Sequence, residues 1–223
     1  MEFFQHVNLQ GLHAPFAASQ SAWLRYDDDK AIERYSNRNR KLLGTELHEY
    51  ARSQISMRQK VSTVKNLIND ICTFIFAKYD ALEKIDVGLA IVKDIRRLPK
   101  EVFETVKLHI NDAIGFGMTA EVVLFYSERF FGTADAISFR NNFLRIHDLK
   151  TGEHSVTMEQ LLVYVALFCL EYTVKPGELE GCELRVYQNG EAVYHNPTAD
   201  EIAPIMDRII HLNKLLIGID EEV

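Results

Sequence analysis

The chain has 223 residues, is 47% hydrophobic and 26% charged, and carries a formal net charge of −7. Its length suits one domain with a substantial core, and the sign of its charge excludes a protein that coats nucleic acid, though not an enzyme gripping a few phosphates in one cleft. No apolar run is long enough to cross a bilayer, and the opening MEFFQHVNLQGLHAPF lacks the basic-then-apolar pattern of a secretory signal. Cys72, Cys169 and Cys182 are scattered without C-x-x-C spacing. A cytoplasmic protein with no disulfide framework, zinc site or iron–sulfur cluster is therefore expected.

The first part, about residues 1–115, reads as helical. A short segment around Ser19 to Tyr26 precedes a longer one near Arg38 to Ser56, and Val61, Val64, Leu67, Ile68 and Ile71 then recur at helical spacing as a core stripe. Pro99 fits the first position of a helix running to about Asn111. Basic residues gather between Lys30 and Lys65, including Arg34, Arg38, Arg40, Lys41, Arg52, Arg58 and Lys60. This flank reads either as a surface for a phosphate backbone or as a solvated helix face. Trp23 and Tyr26, beside Arg25, read either as base-stacking or as ordinary packing residues.

The pattern changes after Thr119. Three β-rich runs follow, EVVLFY, FGTADAISF and FLRIHDLK, then a helix from about Met158 to Tyr172. ELRVYQ-NG-EAVYHN predicts a hairpin, because Asn189-Gly190 suits a type I′ turn, and a last helix spans about Asp200 to Leu216. This order predicts an α/β fold around a small mixed sheet flanked by helices, with the catalytic sheet and its helices in residues 116–217 of a single domain.

The informative segment is Phe131 to Lys150. Asparagine tolerates the positive φ of a tight turn, so Asn141 and Asn142 predict the bend. Counting outward pairs Phe139 with Leu144, Ile137 with Ile146, and Asp135 with Asp148, so one face is expected to run from an apolar block into Asp135, Asp148 and Lys150. Opposed Cβ atoms lie roughly 4.5–5.5 Å apart, where two carboxylates repel unless a cation sits between them. A hard divalent ion is the natural candidate, and the alternative is a surface hairpin with both acids in solvent.

GTAD (Gly132 to Asp135) followed by DLK (Asp148 to Lys150) resembles the PD-(D/E)XK nuclease superfamily, in its RecB-like, CRISPR-associated-type exonuclease branch. Gly44-Thr45-Glu46-Leu47-His48-Glu49 resembles that branch's G-x-x-x-H-E helix, and Gln160 to Tyr164 its Q-x-x-x-Y helix. The opening HAPFAASQSAWLRY is similar to phage-encoded members. The resemblance implies a restriction-endonuclease-like core and a Mg²⁺- or Mn²⁺-dependent DNA nuclease, an exonuclease by branch, working in replication, recombination or repair. It further implies Asp135, Asp148 and Lys150 as catalytic residues. His48, Asp135, Asp148 and the backbone carbonyl of Leu149 would be metal ligands, and Gln160 and Tyr164 would touch substrate. DNA, replication or recombination proteins and a further copy of the chain are the implied partners, inside a bacterial host cell if the protein is phage-encoded. The three cysteines cannot supply the four-cysteine iron–sulfur cluster of the CRISPR-associated members.

Other readings stay open. Glu121 reaches Asp135 from the neighbouring strand unless a one-residue slip across Ser127-Glu128-Arg129 turns it away. Thr157-x-x-Gln160 also fits a helix capping box. A catalytically weak protein that binds DNA or recruits a partner is the alternative function.

Overall fold

The apolar spacing of the first half forms four helices, α1 (Arg40–Met57), α2 (Val64–Ala81), α3 (Ile85–Ile95) and α4 (Lys100–Gly115). Thr63 caps α2, its hydroxyl accepting the Asn66 amide at 3.2 Å, and Pro99 immediately precedes α4. The structure is a computed structural model describing residues 24–30, 40–152 and 157–221. The chain falls into two compact units, Met1–Leu42 and Leu43–Val223. In the first unit the Lys30 ammonium lies 4.8 Å from the centre of the Tyr26 ring, so a cation already occupies the face expected to stack on a base. Trp23 and most of the helix expected around Ser19 to Tyr26 lie outside the described residues.

In the second unit the helices lead into a sheet of five strands: β1 (Thr119–Ser127), β2 (Phe130–Arg140), β3 (Phe143–Leu149), β4 (Gly181–Gln188) and β5 (Glu191–His195). The strands lie side by side in chain order. All neighbours are antiparallel except β3 and β4, which are parallel and joined through α5 (Glu159–Glu171). A last helix, α6, spans Ala199–Glu221. This is an α/β fold with a mixed sheet flanked by helices, as expected. Asn189 and Gly190 both take positive φ at the β4–β5 turn, the two-residue geometry its sequence predicts.

Two cores form, one on each face of the sheet. Residues from α1 to α4, among them Leu47, Tyr50, Ile71, Ile75 and Phe103, pack with Ala136, Leu149 and Tyr187. Leu161, Val165 and Phe168 of α5 and Ile202 and Ile209 of α6 pack with Leu124, Leu144, Ile146, Leu184 and Val186. Helix α3 is not evident from the sequence. Its β-branched residues and Gly88 blur the helical pattern, yet Gly88 is where α3 meets α2, since a Cβ there would lie 2.7 Å from the Tyr79 Cβ.

Candidate functional site

The Asn141–Asn142 turn forms as its sequence predicts, with φ of 50° and 54°. The register also agrees: Arg140 faces Phe143, Phe139 faces Leu144, Ile137 faces Ile146 and Ala136 faces His147. The pairing ends there, one residue short of Asp135 and Asp148. The expectation that both acids share one face needs correction, however. Asp148 continues the row of Leu144 and Ile146 towards α5. Asp135 leaves the row of Ile137: Ala134 packs with the α5 core while Ala136 packs with the α1–α4 core, so the alternation breaks between them. The opposed strand breaks at the same level. Ala120 and Val122 also pack into different cores, and Glu121 between them has φ of 53°. A positive φ at a glutamate is strained backbone, and such strain gathers at functional sites.

The break turns Asp135 and Glu121 towards α1. His48, Glu121 and Asp135 each offer a donor atom within 4.8 Å of one another, a group that could hold a metal ion. His48 Nδ1 lies 3.4 Å from Asp135 Oδ2, and the same oxygen accepts the Leu149 amide at 2.7 Å. The Leu149 N–H thus fixes one Asp135 oxygen in place. Gly44 lies one helical turn before His48 and lets α1 come close to Thr151, whose hydroxyl would be 3.1 Å from a Cβ there.

The charges are coupled. Burial opposes the His48 imidazolium, but the hydrogen bond and charge of Asp135, with Asp148 and Glu121 beyond, raise its pKa above the usual histidine value. Burial likewise opposes the Asp135 carboxylate, and its bonds to His48 and the Leu149 amide more than offset this, holding its pKa low. Burial and the neighbouring Asp135 push Glu121 up.

Asp148 forms a second group. It is 3% exposed, and burial together with Asp135 pushes its carboxyl up to about 6, against the pull of Lys150. Lys150 Nζ donates to Asp148 Oδ1 at 3.2 Å and lies 2.9 Å from Oδ2. The second contact lacks hydrogen-bond alignment, so buried Oδ2 has no hydrogen bond among the described residues. Lys150 also donates to Gln160 Oε1 at 2.9 Å, and Gln160 Nε2 donates to the Tyr164 hydroxyl at 2.9 Å. Gln160 therefore holds Lys150; α5 begins without a side-chain cap, so the capping-box reading fails. The glycine of GTAD gains a reason here, because a Cβ at Gly132 would lie 2.7 Å from the Tyr164 ring.

Sequence reasoning missed the layer behind the acids. His109 of α4 is fully buried with neither ring nitrogen hydrogen-bonded among the described residues, and burial lowers its pKa to about 4. His147 Nδ1 lies 3.1 Å from the Tyr187 hydroxyl, which donates to Asp112 at 2.9 Å. That leaves the Tyr187 oxygen as acceptor and places the neutral imidazole's proton on Nδ1. A lone histidine in each of two separate segments carries no sequence signal for this arrangement. Glu49 of the G-x-x-x-H-E match pairs instead with Lys78, as does buried Glu46. No family model, curated protein or solved structure matches the chain.

Proposed function

We propose that the chain is a PD-(D/E)XK-type nuclease that hydrolyses phosphodiester bonds in DNA with Mg²⁺ or Mn²⁺. The observation that carries this reading is the meeting of His48, Glu121 and Asp135 within 4.8 Å at the end of the hairpin that also bears Asp148 and Lys150. An imidazole with two carboxylates fits a divalent ion, and the oxygen donors favour magnesium or manganese. The unbonded Asp148 Oδ2 leaves one more acceptor near the same charges. His48, Glu121 and Asp135 would hold the ion, and Asp148 would be the next acid to it. Bound there, the ion would supply charge stabilisation to a phosphate and a lowered pKa to water.

The chain's own groups divide the remaining work. Lys150, tethered by Gln160, presents an ammonium to offset negative charge gathering on phosphate oxygens. Tyr164 steadies Gln160, and through it the direction of Lys150. Asp148, titrating near 6, can accept a proton at Oδ2 close to neutral pH.

The test is purified protein with linear, nicked, circular and single-stranded DNA and Mg²⁺ or Mn²⁺, beside Asp135→Ala, Asp148→Ala and Lys150→Ala. Cleavage by the wild type, falling at least a hundredfold in each variant, is expected. Equal traces in all four proteins would end the proposal, and tight DNA binding without cleavage across metals would favour the recruitment reading.

A further inference from the structure

The two strands that carry Glu121 and Asp135 continue outward as an exposed apolar ladder. Val122, Leu124 and Tyr126 pack into the α5 core, as does Phe130, and Gly132 lies against Tyr164 of α5. Alternation sends Val123, Phe125, Phe131 and Thr133 to the opposite face, the one Glu121 and Asp135 share. The register makes them successive pairs: Glu121 level with Asp135, then Val123 with Thr133, then Phe125 with Phe131. Val123 is 52% exposed, Phe125 45% and Phe131 61%, and the two phenyl rings lie 6.5 Å apart, tilted by 32°. From Glu121 to Phe125 is four residues of strand, about 13 Å.

Two exposed phenylalanines beside an acidic cluster are a costly surface unless something covers them. Strand addition by a protein partner would have to displace a bond at the middle of the ladder, where the outward Phe125 amide donates to Glu171 of α5 at 2.8 Å. Beside the acids at the near end stands one cation: Arg52, exposed and one turn beyond His48 on α1, lies close enough for its charge to act on Glu121. An aromatic floor with a guanidinium at its head matches a chain of alternating flat rings and phosphates. Only unpaired bases can offer their faces to such rings, since a duplex hides them within its own stack.

We propose that Phe125 and Phe131 form a stacking platform for an unpaired DNA strand whose phosphate lies at the His48–Glu121–Asp135 cluster, with Arg52 contacting the adjoining phosphate. The platform rests on the nuclease reading and assigns that site a single-stranded or frayed end. At 3.4 Å rise per stacked nucleotide the rings lie about four nucleotides from the cluster.

The experiment measures binding of fluorescent oligothymidylate, and of a duplex of equal length, with Ca²⁺ in place of Mg²⁺. The proteins are the wild type, F125A/F131A and F125W/F131W, with Mn²⁺-dependent hydrolysis of bis(p-nitrophenyl) phosphate recorded for each. The alanine pair should lose at least tenfold in affinity for the single strand. It should keep its affinity for the duplex and its hydrolysis of the small ester, and the tryptophan pair should bind as the wild type does. Unchanged single-strand affinity in the alanine pair, with ester hydrolysis intact, would overturn the platform and leave the nuclease reading standing. Neither hydrolysis nor DNA binding by the wild type would overturn both. A wild-type dimer in sedimentation that F125A/F131A dissolves without loss of DNA affinity would give the face to a second copy, and the platform would fall.

Discussion

His109 sits behind the acids with its imidazole sealed from water, and its neutral state is imposed by burial. An unfolded chain takes up that proton near pH 6.5, while the folded protein resists until about 4. Stability should therefore fall as pH drops from about 6.5 to 4, by about 3 kcal/mol from this ring, and stop falling on its account below that. Phenylalanine keeps the edge-on ring contact with Tyr187 and removes the titration. Urea unfolding of His109→Phe between pH 7 and 4 should show a shallower loss of stability than the wild type; equal slopes would mean that His109 charges in the folded state.

At the scale of elements, α1 serves two masters. One stripe presents Gly44, His48 and Arg52 to the strand ends, while Glu46 and Glu49 grip Lys78 of α2. Glu46 is 1% exposed, with Lys78 at 3.0 Å and the Tyr79 hydroxyl at 2.9 Å. Lys78→Met would leave a buried carboxylate with only the Tyr79 bond among the described residues, a loss of about 3–5 kcal/mol in denaturant unfolding. Lys78→Arg should recover much of it. This division also explains what the sequence could and could not tell. The bend at Asn141–Asn142 was legible because few residues accept its φ, and the bend set the strand register. The turn of Asp135 towards α1 was not legible, because it depends on a glutamate held at positive φ, where no glycine or asparagine announces it. Gln160 and Tyr164 were found through the resemblance to the Q-x-x-x-Y helix, and their i, i+4 spacing puts them on one helix face. The partner that Gln160 takes, Lys150, follows only once α5 is laid on the sheet.

For the molecule as a whole, an ion at the cluster would neutralise the same carboxylate charge that raises the His48 pKa. Metal uptake should accordingly release protons and tighten as pH rises past the raised His48 value and the Asp148 value of about 6. Mn²⁺ at a hundred times its Kd should add about 2.7 kcal/mol to stability. Calorimetric melting at pH 8 should show this rise in the wild type and its loss in Asp135→Ala; an equal rise in both would place the ion elsewhere.

The single parallel pairing, β3 against β4, has a consequence for how the chain comes together. The β2–β3 contact closes across two asparagines, a short loop with little entropy to lose, whereas β4 can reach β3 only after Lys150–Glu180 has been drawn across the sheet with α5 inside it. The strand carrying Asp148 thus finds its first neighbour early, and the helix that tethers Lys150 arrives with the second. Assembly in that order joins Asp135 to the Leu149 amide before the ammonium opposite gains its fixed direction.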